Sequence, residues 1–265
     1  MADGEIRSVQ DLLMATRKSG IADKDHAHVR LWFRGQANTA WPLSPGVYRK
    51  DFPNKDEAKG LDEAKRLRVE RHMTQDFRVQ SAGISPESRD NAALYFLQQH
   101  YKMPTRLLDW TNSPLAALHF AVEDDKTDGI LFILDAYRLA PTQDVPEDKF
   151  RGIATSRNRL FERGLHVIFD WWEPRCFPTF IMPVRPDYFD RRIMLQKGCF
   201  TFHPPEKGTL TVTEPGVMFS HIIPIKSKPD IRSELFLLGI DDFAIYGDLD
   251  SLAARLKFAH RVRKT

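Results

Sequence analysis

The chain has 265 residues, 42% of them hydrophobic and 28% charged, with 18 phenylalanines. That composition excludes a disordered chain and supplies enough apolar mass for a packed core without staples. A formal net charge of +3 and a pI near 8.8 permit nucleic acid as a partner without demanding it, because the stronger signature is a clustered basic patch.

Two short basic clusters, Lys65–Arg71 and Arg255–Lys264, read as solvated helix faces or as such patches. The two cysteines, Cys176 and Cys199, have neither zinc-site nor disulfide-framework spacing, which suits a reducing compartment. No run of about 18 apolar residues suggests a membrane span, and the first residues lack a signal-peptide pattern. A cytoplasmic protein without a membrane partner is the expectation.

Ser8 caps a helix whose apolar residues Val9, Leu12 and Leu13 recur at helical spacing. His28–Gly35 alternates as a strand, and the prolines and glycine of Ala40–Val47 mark a loop. A long charged helix is expected over Asp56–Gln80, a break over Ser81–Arg89, and a helix over Asp90–His100 ended by Pro104. Ser113-Pro114 starts another helix, with serine at the cap and proline at the first helical position. Strands follow at Gly129–Ala136, Phe180–Val184 and Phe219–Ile225, and Met194–Phe202 reads as a strand interrupted by Gly198. Pro229–Leu238 is a helix stopped by Gly239, and Asp248–His260 is the last helix. Strands not separated by regular helices predict an α+β fold, and no linker divides the chain, so residues 1–265 read as one domain.

Three segments carry candidate chemistry. In Leu31–Gln36 an arginine, Arg34, stands before Gly35. It can face an anion where the backbone approaches closely, or it can simply close a salt bridge beside a turn. Gln98–Pro114 gathers polar and aromatic side chains before a capped helix, where backbone donors suit anions. It reads equally as a turn in which Asp109 and Arg106 satisfy local backbone groups. In Arg192–Phe202, Gln196 can bind a sugar hydroxyl, while Gly198 alone signals a β-bulge.

Other chemistries find no pattern. Dinucleotide, Walker-type and nucleophile-elbow motifs are absent. Nine scattered histidines, His26 and His28 among them, form no His-Glu-x-x-His pattern, so no metal is expected. Glu162, Asp170 and Glu173 near Trp171-Trp172 offer only spacing toward a glycosidase pair.

Phe33-Arg34-Gly35, Gln99-His100, Pro104–Thr111, Ser113–Ala121, Gln196–Phe200, Gly239-Ile240 and Gly247–Ala253 together resemble the FRG-domain family over about residues 28–255. Lys102 departs from a frequent glycine, and Tyr246-Gly247 from a Phe-Pro pair. The family's arrangement is similar to ADP-ribosyltransferases, which implies a mixed, mainly antiparallel split sheet flanked by helices, with NAD as substrate. By that resemblance Phe33, Arg34, Gly35, Gln36, His100, Tyr101, Thr105, Arg106, Trp110, Thr111 and Ser113 contact NAD. Arg34, Asp109 and Gln196 carry the chemistry, Gln196 standing where such enzymes place a glutamate. The implied activity is transfer of ADP-ribose to a macromolecule, RNA or DNA before protein, by a toxin or effector of bacterial antiviral defence that a cognate antitoxin restrains. The alternatives are a non-catalytic nucleotide-binding sensor and an NAD glycohydrolase.

Overall fold

The computed structural model describes residues 2–52, 62–84, 90–139, 152–170, 177–188 and 190–260. Its strands are β1 (Gly4–Glu5), β2 (Leu31–Gln36), β3 (Leu107–Thr111), β4 (Gly129–Asp135), β5 (Ala154–Thr155), β6 (Met182–Arg185), β7 (Gly198–Phe202) and β8 (Met218–Ile223). Its helices are α1 (Val9–Lys18), α2 (Ala27–Arg30), α3 (Glu63–Ser81), α4 (Asn91–His100), α5 (Pro114–Ala121), α6 (Ala136–Leu139), α7 (Arg159–Phe169), α8 (Arg191–Leu195), α9 (Lys228–Leu237), α10 (Asp242–Tyr246) and α11 (Leu249–Ala259). The strands form one mixed sheet in the order β1-β8-β4-β2-β3-β7-β6-β5. Only β1–β8 and β5–β6 pair in parallel, so the fold is α+β with a mostly antiparallel sheet flanked by helices.

The helix starts expected at Ser8 and Ser113 stand. Ser8 accepts from the Asp11 amide and Ser113 from the Ala116 amide, with Pro114 in the first turn of α5. Four expectations change. Residues 28–30 belong to the short helix α2, and β2 begins only at Leu31. Met194–Phe202 is a helix end followed by a strand. Lys197 turns the chain at φ 48°, and Gly198 opens β7 opposite Thr111 instead of forming a bulge. Leu107–Thr111, inside the stretch for which a turn is one of two readings, is a central strand. The sequence reading offers no element at α7, although Phe161, Leu165, Ile168 and Phe169 bury one face of it. The first residues expected in the long helix, Asp56–Leu61, lie outside the described residues, as do residues 85–89, Trp171–Cys176 and the end of the basic tail.

Side-chain alternation sorts the sheet into two faces. Leu31 and Phe33 pack with Leu131, Ile133 and the apolar residues of α1, α5 and α9. Farther along, Leu107, Phe200 and Phe202 pack under α4 and α7. On the other face Trp32, Leu108, Trp110, Leu134 and Cys199 are covered by α6 and by coil carrying Leu43, Leu210 and Val217. The β2 strand aligns with β4 over its whole length, but β2 and β3 share a single registered pair, Phe33 and Thr111. Beyond it the sheet opens along a seam.

The coil-covered face also holds a polar relay. Trp110 Nε1 donates to Thr201 Oγ1 at 3.1 Å, and Thr201 Oγ1 lies 2.9 Å from His203 Nε2. The other imidazole nitrogen, Nδ1, lies 3.0 Å from the Lys207 carbonyl. A neutral ring donating from Nδ1 and accepting at Nε2 satisfies every partner. Burial, offset by the Lys207 contact and reinforced by nearby Arg34, pushes the His203 pKa down to about 3. The unfolded imidazole titrates near 6.5, so between these values the unfolded chain binds the extra proton. Stability from this group is therefore complete above about pH 6.5 and is lost as pH falls toward 3. Urea unfolding should give a stability about 2 kcal/mol lower at pH 5 than at pH 7 from this group alone. A His203→Gln variant should lose that part of the pH dependence; an unchanged slope would remove the assignment.

Candidate functional site

The seam between β2 and β3 brings two of the sequence candidates, Arg34 and Asp109, together. Alternation sends Phe33 and Gly35 toward α5 and leaves Arg34 on the opposite face with Trp32. A Cβ on Gly35 would lie 1.7 Å from the Ala117 carbonyl oxygen. The glycine expected to admit a ligand therefore admits the α5 backbone, and Phe33, 2% exposed, belongs to the core beneath the same helix. Of the triplet only Arg34 faces the seam.

Arg34 Nη1 donates to the Asp109 carbonyl at 2.7 Å and stands 3.9 Å from the Asp109 carboxylate. Its side chain is 14% exposed, whereas that of Asp109 is 55% exposed. Burial lowers the Arg34 pKa to about 10, with Asp109 opposing the shift and Arg49 adding to it, so the guanidinium remains charged at neutral pH. Its Nε is buried with no hydrogen-bond partner among the described residues. A buried cation with one carbonyl, one distant carboxylate and an unanswered N–H is under-compensated, and an anion is its natural complement.

Asp109 is not locked to Arg106. Gln99, at the end of α4, donates from Nε2 to both Asp109 oxygens at 2.9 Å. Gln99 Oε1 in turn accepts from Thr105 Oγ1 at 2.5 Å, and Thr105 Oγ1 accepts from the Leu107 amide. This sequence of bonds fixes which end of the Gln99 amide faces the carboxylate. Gln99 was legible only as a motif letter, because nothing in the sequence says that α4 ends over β3.

The junction beside the seam joins the remaining segments. Thr111 Oγ1 donates to the Gln196 carbonyl at 2.5 Å and accepts from the Ser113 amide. Asn112 donates its side-chain amide to the Leu31 carbonyl and its backbone amide to the Lys197 carbonyl. Gln196 Nε2 is buried and has no hydrogen-bond partner among the described residues.

Other candidates lie elsewhere. Arg106 is fully buried, and its guanidinium reaches Glu70 at 2.8 Å, Glu63 at 2.6 Å and the Tyr48 hydroxyl, with the Phe177 ring 4.4 Å beneath it. The expected NAD contact at Arg106 is thus corrected to a core ion-pair network tying α3 to the start of β3. Trp110 is buried with its indole N–H on Thr201, and Gln36, 3% exposed, reaches only the Trp41 carbonyl. His100 and Tyr101 sit past Gln99 beside a separate cleft; Asp190 lies 3.2 Å from His100, whose pKa burial lowers. Asp170 pairs with His166, and Glu162 is exposed on α7. Glu173 lies outside the described residues. Among the described residues no three His, Cys, Asp or Glu side chains could hold a metal ion, and no helix is long and apolar enough to cross a membrane.

Residues 29–129 match the FRG domain family model. The FRG match runs from α2 to the first residue of β4, so it contains Arg34, Gln99 and Asp109 and leaves out Gln196 and everything after it. It is narrower than the span over which the motifs resemble the family. No curated protein and no solved structure matches the chain.

Proposed function

We propose that the chain is an NAD-dependent ADP-ribosyltransferase acting on a macromolecular acceptor, nucleic acid before protein, in the role of a bacterial defence toxin held by a cognate antitoxin. The observation that carries the reading is the seam itself. Arg34 and Asp109 come from two strands that part just beyond their single shared pair, leaving an under-compensated cation and an exposed, oriented carboxylate at one opening. The sheet is one mixed, mostly antiparallel sheet, and reading its β2–β3 seam as the split of an ADP-ribosyltransferase is part of this proposal.

In this reading the Arg34 guanidinium takes the NAD pyrophosphate. The bond from ribose C1′ to the nicotinamide nitrogen breaks with its electron pair leaving on nicotinamide. Positive charge then develops on the ribose, where the preplaced Asp109 carboxylate stabilises it. An acceptor oxygen or nitrogen bonds to C1′ and gives its proton to Asp109. Gln196 closes the ribose side, and its amide donates or accepts without taking a proton.

A sensor that binds nucleotide without turnover has one observation in its favour. The side chain at 196 carries no charge, and its Nε2 faces no acceptor.

Labelled NAD incubated with the protein and with RNA, DNA or lysate protein separates the readings. The transferase labels one fraction. Arg34→Ala should lower that labelling about 100-fold or more while its thermal unfolding stays close to that of the parent chain. Nicotinamide release without label would make the protein a glycohydrolase. NAD binding without release would make it a sensor.

A further inference from the structure

A cleft of about 430 Å³ opens past the end of α4, lined by His100, Tyr101, Lys102, Asp190–Arg192 and Tyr246–Asp248. Most of these residues lie outside the FRG match. Both lining carboxylates are already engaged. Asp190 accepts from the backbone amides of Arg192 and Ile193 at the start of α8, and it also meets His100. Asp248 accepts from the Ser251 amide at the start of α11. Lys102 and Arg191 meet no carboxylate among the described residues, and Arg192 lies over the Tyr246 ring at 4.9 Å. Three cations thus face two carboxylates that are bound to helix ends.

Lys102 also sits at φ 62°, in the left-handed region that favours glycine. The chain accepts that strain and gains a cation at the rim. Beside it Tyr101 is 64% exposed, with its edge against His100. An exposed ring next to uncompensated cations is the arrangement that holds a base by stacking and a phosphate by charge.

We infer that this cleft binds a nucleotide unit of a single-stranded nucleic acid, its base on Tyr101 and its flanking phosphates on Lys102 and Arg191. The cleft is open to solvent and its cations stand at the rim, which suits a chain passing through. It lies next to the Gln99–Asp109 pair in sequence, since α4 ends in Gln99-His100 and continues as Tyr101-Lys102. As the seat of an acceptor the site rests on the transferase reading. As a binding site it does not, and the experiment reads binding alone.

Fluorescence anisotropy with a labelled single-stranded oligonucleotide of about 10 residues, in low salt, provides the test. Arg191→Glu and Tyr101→Ala should each weaken binding about tenfold or more. Lys226→Glu, the same charge change after β8, should stay within about twofold. The salt dependence of binding should become shallower in Arg191→Glu and not in Tyr101→Ala. Equal weakening by Arg191→Glu and Lys226→Glu would mean general charge attraction and overturn the site. So would absence of binding, or free ADP competing as strongly as the oligonucleotide, which would assign the cleft to a free nucleotide. None of these outcomes depends on NAD turnover.

Discussion

Alanine at Glu70 will leave the chain unfolded or about 3–5 kcal/mol less stable, because it removes the buried carboxylate that answers the Arg106 guanidinium and leaves it only the partly exposed Glu63 and the Tyr48 hydroxyl. Glu70 is itself 1% exposed, accepts from Arg106 Nε at 2.8 Å and accepts from the Tyr95 hydroxyl at the same distance. The Tyr95 oxygen in turn accepts from the Arg106 amide at 2.7 Å. One substitution therefore leaves a charge and a hydroxyl without their buried partner, in surroundings where an unmatched group is expensive. Glu63→Ala should be milder, since Glu63 is a third exposed and water can replace it. The mechanism is checked by urea unfolding of Glu70→Ala beside a Glu70→Leu/Arg106→Met double variant. Removing both charges should restore much of the stability. A double variant no better than the single one would mean that lost packing, not the stranded charge, decides the outcome.

Gly35→Ala should lower stability by about 3 kcal/mol or more, with no change in charge or polarity. The added methyl would enter the Ala117 carbonyl at 1.7 Å and crowd the Ala121 amide at 2.8 Å. These are backbone atoms of α5, so no side chain can swing away; the helix must lift from β2. Gly129 on the neighbouring β4 meets the same helix, with the Ala121 carbonyl 2.4 Å from its virtual Cβ. Two glycines on adjacent strands thus form the shallow bed that lets α5 lie directly on the sheet. Thermal unfolding of Gly35→Ala, compared with alanine at exposed Gly83 where nothing lies within 4 Å, measures the effect. Unchanged stability at Gly35 would return the residue to a role at the seam.

The local signals in the sequence translated well where the physics is local. Ser8 and Ser113 cap their helices because a side-chain oxygen next to free amides needs no distant partner. The apolar run Ile130–Leu134 is a strand buried on both faces. The errors arose where tertiary partners decide. Leu107–Thr111 has a charged residue at its centre and looks like a turn, yet β7 pairs with all of it and Gln99 satisfies Asp109. Arg106 looks like a ligand-binding residue until α3 supplies Glu63 and Glu70 from more than 30 residues away in the chain. At the seam, the sequence marked Arg34 and Asp109 as separate candidates. Their meeting depends on β2 and β3 becoming neighbours across a sequence separation of 75, which no periodicity records.

The single shared pair of β2 and β3 has a mechanical meaning. A sheet ordinarily passes load from strand to strand through a continuous ladder. Here the two half-sheets are joined by one rung, by the Asn112 and Thr111 ties at one end, and by a flexible guanidinium that leans across the gap. Along the line where the Asp109 carboxylate stands, neighbouring strands share fewer registered pairs than anywhere else in the sheet. Any guest that engages Arg34 and Asp109 together supplies the missing rung, and binding and stiffening of the sheet become one event.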